Sequence, residues 1–212
     1  MISLKILVFN SFQVNTYILY DDTKECIIID PACSNQKEFD VIDAFIKENN
    51  LKPVAFYNTH CHIDHLVGNY FIDKYYKIPL GIHEEGLKFL KQSKIYGLAF
   101  GFHIEEVIKP SVFLKEGDEV KFGNSVLKVI YTPGHVNGSI CFYSEKDKFV
   151  IVGDVLFQQG IGRTDLPTGD YNLLMSSIKN KLLILPDSTV VYPGHGDSTT
   201  IGSEKKYNPY LD

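Results

Sequence analysis

Three histidines and one aspartate fall within six consecutive residues of this chain. His60, His62, Asp64 and His65 form the pattern H-x-H-x-D-H, in a sequence with seven histidines in 212 residues. Neutral imidazole and carboxylate are the usual protein ligands of zinc and related divalent ions. His60 and His62 can point the same way from an extended segment. Asp64 and His65 lie towards a helix start, so the pattern predicts one metal site and a second one nearby.

Three further segments place a metal-binding side chain directly after an apolar run. They read T-P-G-H up to His135, V-G-D up to Asp154, and Y-P-G-H-G around His195. The glycines let the backbone approach closely without a Cβ clash. Any one of these segments alone would be an ordinary loop. Together with the first motif they put seven ligands in four strand-end loops, which predicts one convergent metal site.

Other histidines and the cysteines receive plainer interpretations. His83 and His103 are expected to be solvated surface side chains. Cys61 alternates with the ligand histidines and should point away from the metals, so it is interpreted as packing, as is Cys141 in its apolar strand. The four cysteines are scattered without a C-x-x-C pair, and the first ten residues carry no cleavable signal pattern. These features predict a reducing cytoplasm.

Composition restricts the classes of function. The chain is 44% hydrophobic and 22% charged, which is typical of a globular protein, and we expect a single domain over residues 1–212. The net charge of −5 offers no basic field for nucleic acid or an anionic membrane. No run approaches the roughly 18 apolar residues of a membrane span. We therefore expect neither nucleic acid nor a membrane as a partner, and the oligomeric state stays open; the small-molecule substrate expected below comes from a family resemblance.

The elements that must position the ligands alternate between strands and helices. Apolar and β-rich runs predict strands over 4–9, 16–20, 26–29, 53–57, 78–82, 119–122, 125–131, 139–143, 149–152 and 189–192. Apolar periodicity predicts helices over 36–48, 64–74, 84–91 and 171–181, with Ser34 capping the first. The aromatic segment 95–103 predicts a loop or a broken helix. Strands and helices in both halves indicate two sheets with helices outside them.

These motifs resemble the metallo-β-lactamase superfamily over nearly the whole chain. The similarity begins at V-N-T-Y (14–17) and I-D-P (29–31), and ends at P-G-H-G (193–196). Within the superfamily the chain is similar to the glyoxalase II, or hydroxyacylglutathione hydrolase, branch in its short single-domain form, through 153–157, 162–167 and the tail from 199. The resemblance implies an α/β (α+β) fold, a four-layer αββα sandwich, without the C-terminal helical domain that completes a glutathione site.

The resemblance also implies two divalent metal ions at one edge between the sheets. Zinc is the foremost candidate, and iron and manganese suit the same ligands. The implied ligands are His60, His62 and His135 for one ion, Asp64, His65 and His195 for the other, and Asp154 as the bridge. Asp64 would also be catalytic, orienting the hydroxide that attacks a thioester carbonyl. Asp30 would be a structural residue near the site.

Two other enzyme classes use the same scaffold, and the residues leave them open. A persulfide dioxygenase would use one iron on His60, His135 and Asp154, and a lactonase would act on an ester. The L-P and G-D pairs within 166–170 favour the hydrolase. An aspartate rather than a cysteine at 154 argues against a true β-lactamase. A non-catalytic scaffold should have lost ligands, and none is lost here.

Arg163 is the only arginine in the chain and lies in the loop after Asp154. It could bind a substrate carboxylate or phosphate bidentately, or form a structural pair with Asp165. The glutathione-specific enzymes carry tyrosines where this chain has Asp165 and Asp197, so hydrolysis is better supported than glutathione specificity. The aromatic segment 96–102 could line the substrate cleft, form a subunit contact or simply pack.

Overall fold

Two six-stranded mixed sheets form the centre of the fold. The computed structural model describes residues 1–211, so Asp212, the last residue of the predicted domain, lies outside the described part. The strands of the first sheet are β1 Ser3–Phe9, β2 Val14–Tyr20, β3 Glu25–Ile29, β4 Lys52–Tyr57, β5 Leu80–Ile82 and β6 Val112–Phe113. They lie in this order, antiparallel from β1 to β3 and parallel from β3 to β6.

The second sheet comes from the other half of the chain. Its strands are β7 Glu119–Phe122, β8 Ser125–Tyr131, β9 Ile140–Ser144, β10 Phe149–Gly153, β13 Val190–Pro193 and β14 Thr199–Thr200. The order is β14-β13-β10-β9-β8-β7, and β10 with β13 is its parallel pair. A separate two-stranded ribbon joins β11 Leu156–Phe157 to β12 Gly160–Ile161.

Helices cover the outer faces of the two sheets. They are α1 Gln36–Glu48, α2 Ile63–Leu66, α3 Asn69–Tyr76, α4 Leu87–Ala99, α5 Tyr171–Ser177 and α6 Ile201–Tyr207, with a 3₁₀ turn at Glu84–Gly86 and a π turn at Ile178–Leu182. Within residues 1–211 no helix is both long and apolar enough to cross a membrane.

The period-two alternation of the strands creates the layers. In β3, Cys26 and Ile28 pack in the core under the N-terminal helices, whereas Ile27 packs in the core between the two sheets. In β10, Ile151 joins the same inter-sheet core while Val150 packs outward with α5. Strands buried on both faces read as continuous apolar runs for this reason. The predicted four-layer αββα sandwich is confirmed.

The predicted strands agree with the structure to within about two residues, and most departures have a local cause. The cap of α1 is Asn35, whose side chain accepts from the Glu38 N–H at 3.1 Å, so the prediction of Ser34 is wrong by one position. Ser34 instead binds the Glu38 carboxylate. The helix predicted over 64–74 is interrupted at Gly68, where a Cβ would lie only 2.5 Å from the carbonyl oxygen of Pro31.

The largest departure is α4, which was predicted to end near residue 91 and runs to Ala99. Gly97, interpreted as an interruption, sits within the helix because the chain returns against it. A Cβ at Gly97 would lie 3.0 Å from the carbonyl oxygen of Phe102. Five short elements were not predicted from the sequence: β6, β11, β12, β14 and α6. Helix α6 does have a signal, since the Thr200 hydroxyl accepts from the Ser203 N–H.

Candidate metal centre

Loops at the ends of strands from both sheets bring the seven predicted ligands to one place. His60 and His62 follow β4, and Asp64 and His65 lie in the short helix α2. The other three, His135, Asp154 and His195, follow β8, β10 and β13. The structure groups potential ligand atoms within 4.8 Å of one another in three overlapping sets: His60, His62 and His135; His60, His65 and Asp154; Asp64, His65 and His195.

The first set is a compact group of imidazoles. Nε2 of His135 lies 2.9 Å from Nδ1 of His62, and 3.7 Å from Oδ2 of Asp154. Two ligands of a tetrahedral zinc with bonds of 2.0–2.1 Å are about 3.3 Å apart. The separations bracket this value, so one ion could be held by these side chains.

The other two sets share His65 and contain the carboxylates of Asp154 and Asp64. Nε2 of His65 lies 3.3 Å from Nε2 of His195 and 3.4 Å from Oδ1 of Asp154. Nε2 of His195 lies 3.3 Å from Oδ2 of Asp64 and 3.4 Å from Oδ2 of Asp154. Asp154 therefore approaches His135 on one side and His65 and His195 on the other, so its carboxylate could contact ions held by either group.

Four of the five histidines are oriented by a hydrogen bond at Nδ1. The Nδ1 atom of His60 contacts the Thr59 hydroxyl at 3.1 Å, and that of His65 contacts the Asp30 carboxylate at 3.0 Å. The Nδ1 atoms of His135 and His195 contact backbone carbonyls, of Arg163 at 2.7 Å and of Phe12 at 2.8 Å. A proton on Nδ1 leaves the lone pair of Nε2 for a metal ion.

Asp30 supports the site from beneath, as the resemblance implied. It is completely buried and has a left-handed backbone with φ of 50°. Its Oδ1 accepts from the Thr59 N–H at 2.7 Å, and its Oδ2 accepts from the Thr59 hydroxyl at 2.7 Å. With His65, three donors converge on one carboxylate, which fixes the loop that carries His60 to His65.

Burial and the nearby charges polarise the cluster. Burial, reinforced by His135, lowers the pKa of His62 to about 4, so its ring is neutral at pH 7. Burial opposes ionisation of Asp154, but the charge of His65 and the approach of His195, with Nε2 3.4 Å from Oδ2, outweigh it and hold the Asp154 pKa well below its usual range. Burial likewise opposes protonation of His195, yet hydrogen bonds to Asp154 and Asp64 raise its pKa to about 9. The carboxylates thus draw a proton onto His195, and a bound metal ion would take the place of that proton.

Two buried atoms show that the donor set fits a metal. Nε2 of His60 and Oδ1 of Asp154 have no hydrogen-bond partner among the described residues. An unpaired buried polar atom is costly, and coordination to an ion would satisfy both. Gly194 leaves room at the same point, because a Cβ there would overlap Oδ1 of Asp154 and lie 2.7 Å from Cε1 of His65.

A cavity of about 420 Å³ opens onto the cluster. Its wall includes Phe12, Phe89, Tyr96 and Phe100, so part of the 96–102 segment lines the cleft. Sequence analysis missed Phe12 and Phe89. Phe12 has no sequence signal, whereas Phe89 shares a helical spacing with Tyr96 and Phe100 that becomes visible once α4 is known to continue.

Arg163 lies at the rim of this cavity and pairs with Asp165. Its Nε and one terminal nitrogen donate to the two carboxylate oxygens at 2.7 and 2.6 Å, in the fork-to-fork arrangement that was one of its two predicted roles. Both side chains are exposed. The carbonyl of Arg163 has a separate role, because it orients His135.

The remaining histidines and cysteines are only partly as expected. His103 is exposed. His83 is not a solvated side chain, since it is buried and stacked on Tyr131 with ring centroids 4.4 Å apart. Cys61 and Cys141 are buried, as packing requires, although Cys61 also touches the cavity.

A four-layer αββα sandwich with a His/Asp cluster between its sheet edges defines a class, the metal-dependent hydrolases built on this scaffold. The sequence model of the metallo-beta-lactamase superfamily matches residues 10–195. YqgX, a probable metallo-hydrolase of Bacillus subtilis, is 39% identical over 201 residues, which are 94% of this chain and 93% of YqgX. The hydroxyacylglutathione hydrolase GloC of Haemophilus influenzae is 35% identical over 215 residues, 99% of this chain and 98% of GloC.

Solved structures give the same result. BLEG-1, a B3 metallo-beta-lactamase, superposes with a TM-score of 0.88 at 35% identity over 99% of both chains. TTHA1623, in a di-iron-bound form, has a TM-score of 0.87 at 32% identity, over 98% of this chain and all of its own. ETHE1 from Myxococcus xanthus has a TM-score of 0.80 at 27% identity, over 98% of this chain and 83% of its own. The chain belongs to the metallo-beta-lactamase superfamily and carries its metal-binding His/Asp cluster.

Proposed function

We propose that the protein is a dinuclear metal-dependent hydrolase that cleaves a small-molecule thioester, in a reaction of the hydroxyacylglutathione hydrolase type. One observation carries this proposal: seven ligand side chains converge, with the buried His60 Nε2 and Asp154 Oδ1 left unpaired at the centre. The relationship to GloC at 35% identity supports the reaction class. We further propose that neither nucleic acid nor membrane is a partner.

The ligand sets divide between two ions. His60, His62 and His135 would hold one, Asp64, His65 and His195 the other, and Asp154 would lie between them. Two bound divalent ions, zinc foremost, would supply a water that ionises near neutral pH and a Lewis acid for the carbonyl oxygen of the substrate.

The residues of the chain supply orientation and proton handling. Oδ2 of Asp64 lies 3.3 Å from Nε2 of His195. Burial opposes ionisation of Asp64, but the charge of His65 outweighs it and lowers the pKa of the Asp64 carboxyl, which is therefore ionised. That carboxylate can accept a proton from, or orient, the attacking water. A thiolate leaves without a strong general acid, so the site needs no separate acid for a thioester. Arg163 is proposed to contact an anionic end of the substrate at the rim.

Metal content and a substrate panel test the proposal together. We expect close to two ions per chain by elemental analysis, and turnover of acyl thioesters by the loaded protein. Asp154→Ala should lose metal and activity together, because it removes the carboxylate that approaches both groups of histidines, whereas Asp22→Ala, at an exposed aspartate in the turn between β2 and β3, should keep both. Full turnover by Asp154→Ala would show that Asp154 does not bridge two metal ions.

The second candidate is the dioxygenase, and the observation on its side is that the similar TTHA1623 structure holds iron, in a di-iron-bound form, so iron suits this scaffold. Here His60, His135 and Asp154 would be the ligands of a single iron, in an open two-histidine, one-carboxylate site. One iron per chain and oxygen uptake with a persulfide, without thioester cleavage, would replace the hydrolase proposal by this one. Lactones, simple esters and a chromogenic β-lactam belong in the same panel, the last because BLEG-1 is similar.

A further inference from the structure

One face of α4 forms an apolar wall beside the metal centre. Phe89, Ser93, Tyr96 and Phe100, which caps the helix, follow one another at spacings of four, three and four residues, so they share a face of the helix. All of them line the cavity, and Phe12 approaches from the turn between β1 and β2 with its ring centroid 6.1 Å from that of Phe100. Pockets of a few hundred Å³ with such walls bind apolar groups.

Away from the metal centre, the cavity offers a charged substrate only Arg163 at its rim. Apart from the ligand histidines, Arg163 is the one basic side chain among its described lining residues, and Asp165 already binds its Nε and one terminal nitrogen. The other charged lining residues, Asp64 and Asp154, belong to the metal centre. A peptide such as glutathione, with two carboxylates and an ammonium group, finds no matching set of charges here.

Ser93 is the exception in the apolar wall. Ser93 is 2% exposed, and its Oγ makes no hydrogen bond with any group of residues 1–211. A serine within a helix usually donates back to the carbonyl four residues earlier, and Ser93 does not. A buried hydroxyl without a partner is unfavourable unless something else supplies one.

We infer that the substrate carries an apolar alkyl or aryl arm that lies against α4, with one hydrogen-bonding atom of that arm paired to the Ser93 hydroxyl after the serine side chain rotates towards the cavity. Ser93 is then a specificity-determining residue, and Phe100 contributes apolar contact at the cavity mouth. This inference rests on the proposed hydrolase function and names the substrate class of its site. The arm could belong to the acyl group or to the thiol, and the two sources are separated by experiment.

Two homologous series of thioesters test the apolar arm. In one the acyl group lengthens from acetyl to octanoyl on a fixed uncharged thiol, and in the other an alkyl thiol lengthens on a fixed acetyl group. We expect kcat/KM to rise about fourfold per methylene in one series until the cavity is filled. The series that rises identifies the arm. Flat kcat/KM in both, or a glutathione thioester that exceeds every alkyl compound, would overturn the inference while leaving the hydrolase intact.

A matched pair of variants locates the effect. Phe100→Ala should flatten the rise, whereas Phe113→Ala should not, although each phenylalanine is 51% exposed and Phe113 lies on β6 away from the cavity. If kcat/KM rises equally with chain length in the two variants, the arm does not lie against Phe100.

Ser93 is tested with hexanoyl or hexyl compounds that carry a hydroxyl at successive chain positions. For one position, Ser93→Ala should lower kcat/KM about tenfold, as expected for the loss of one hydrogen bond, and leave the unsubstituted compound unchanged. Ser176→Ala, an exposed serine on α5, should change neither. If Ser93→Ala affects all positions equally or none, Ser93 does not select the substrate.

Binding measurements separate this inference from the hydrolase proposal. Straight-chain carboxylates from propanoate to octanoate, and the corresponding alkyl thiols, are titrated calorimetrically into the metal-loaded protein. Affinity should rise with chain length in one set even if no thioester is cleaved, in which case the proposed reaction fails and the apolar arm stands. Affinity independent of chain length in both sets would overturn the arm.

Discussion

Replacing Asp30 by asparagine exchanges one carboxylate oxygen for an NH₂ group and should disturb both metal sites. The carboxylate only accepts, and its three donors are the N–H and hydroxyl of Thr59 and Nδ1 of His65. Asparagine is isosteric and tolerates the left-handed φ of 50°, so the backbone should not move. If the new amide oxygen keeps the Thr59 N–H, the amide NH₂ faces His65 and the Thr59 hydroxyl.

In that orientation the ring protons of His65 and His60 move from Nδ1 to Nε2. The NH₂ donates to Nδ1 of His65, which moves the ring proton to Nε2, the atom facing Asp154. It also donates to the Thr59 hydroxyl, which must then donate to Nδ1 of His60, 3.1 Å away. Both histidines present N–H where a metal needs a lone pair. Loss of such supporting partners costs 10- to 100-fold in metal affinity, about 1.4–2.7 kcal/mol.

The opposite amide orientation is also unfavourable. It places NH₂ against the Thr59 N–H and leaves a buried donor unpaired, which costs about 1–3 kcal/mol of folding stability. The assay is competition for zinc against a chromophoric chelator, with urea unfolding of the metal-free protein as the second readout. The exposed Asp22→Asn should match wild type in both. A folded Asp30→Asn protein with wild-type metal affinity and stability would refute this account of His60 and His65.

Further predictions concern the rim, the glycines and the fold. Arg163→Ala should keep full metal content, because the backbone carbonyl that orients His135 remains. It should raise KM for an anionic thioester less than about fivefold, since the guanidinium is exposed and already paired with Asp165. A larger rise of KM in steady-state kinetics would mean that the guanidinium leaves Asp165 to bind substrate. Gly194→Ala should lower zinc occupancy in chelator competition, because its Cβ overlaps a ligand carboxylate, whereas a Cβ at Gly160 would make only ordinary van der Waals contact at 3.6 Å, so Gly160→Ala should bind normally. Hydrogen bonds from Thr23 and Ser125 outweigh burial and lower the pKa of Asp21 to about 2. The Asp21 carboxylate therefore contributes about 1 kcal/mol to folding stability above pH 3.8, after a discount for solvent screening, and this contribution is lost as the pH falls through 2. The urea midpoints of Asp21→Asn and wild type should converge across that window, and a constant difference between them would contradict this.

The ligand side chains could be predicted from the sequence because metal chemistry restricts residue type. His, Asp and the adjoining glycines at strand ends are visible as letters, and the alternating strands indicate which edge they share. The partners that orient them are less visible. The carbonyls of Phe12 and Arg163 hold His195 and His135, and a backbone carbonyl has no residue type.

The fold departed from prediction where tertiary contacts overrule local preference. Gly97 lowers helix propensity, yet α4 continues through it because the close return of the chain at Phe102 needs a residue without Cβ. His83 has a polar side chain that its stack on Tyr131 keeps buried. Strands of two residues such as β6 are formed by pairing with a neighbour, so no local period predicts them.

Metal binding and substrate selection rest on different parts of this structure. The partners that orient the ligand histidines lie outside α4, and the one aromatic contact from that helix to a ligand is Phe89 with His62, at 5.9 Å between centroids. Ser93 and Phe100 can therefore change without loosening an ion. Metal affinity in Ser93→Ala and Phe100→Ala should equal that of wild type, while Phe89→Ala should weaken it by freeing the His62 ring. Reduced metal affinity in the first two variants would show that the wall and the centre are one unit, and their substrate effects would then reflect metal loss.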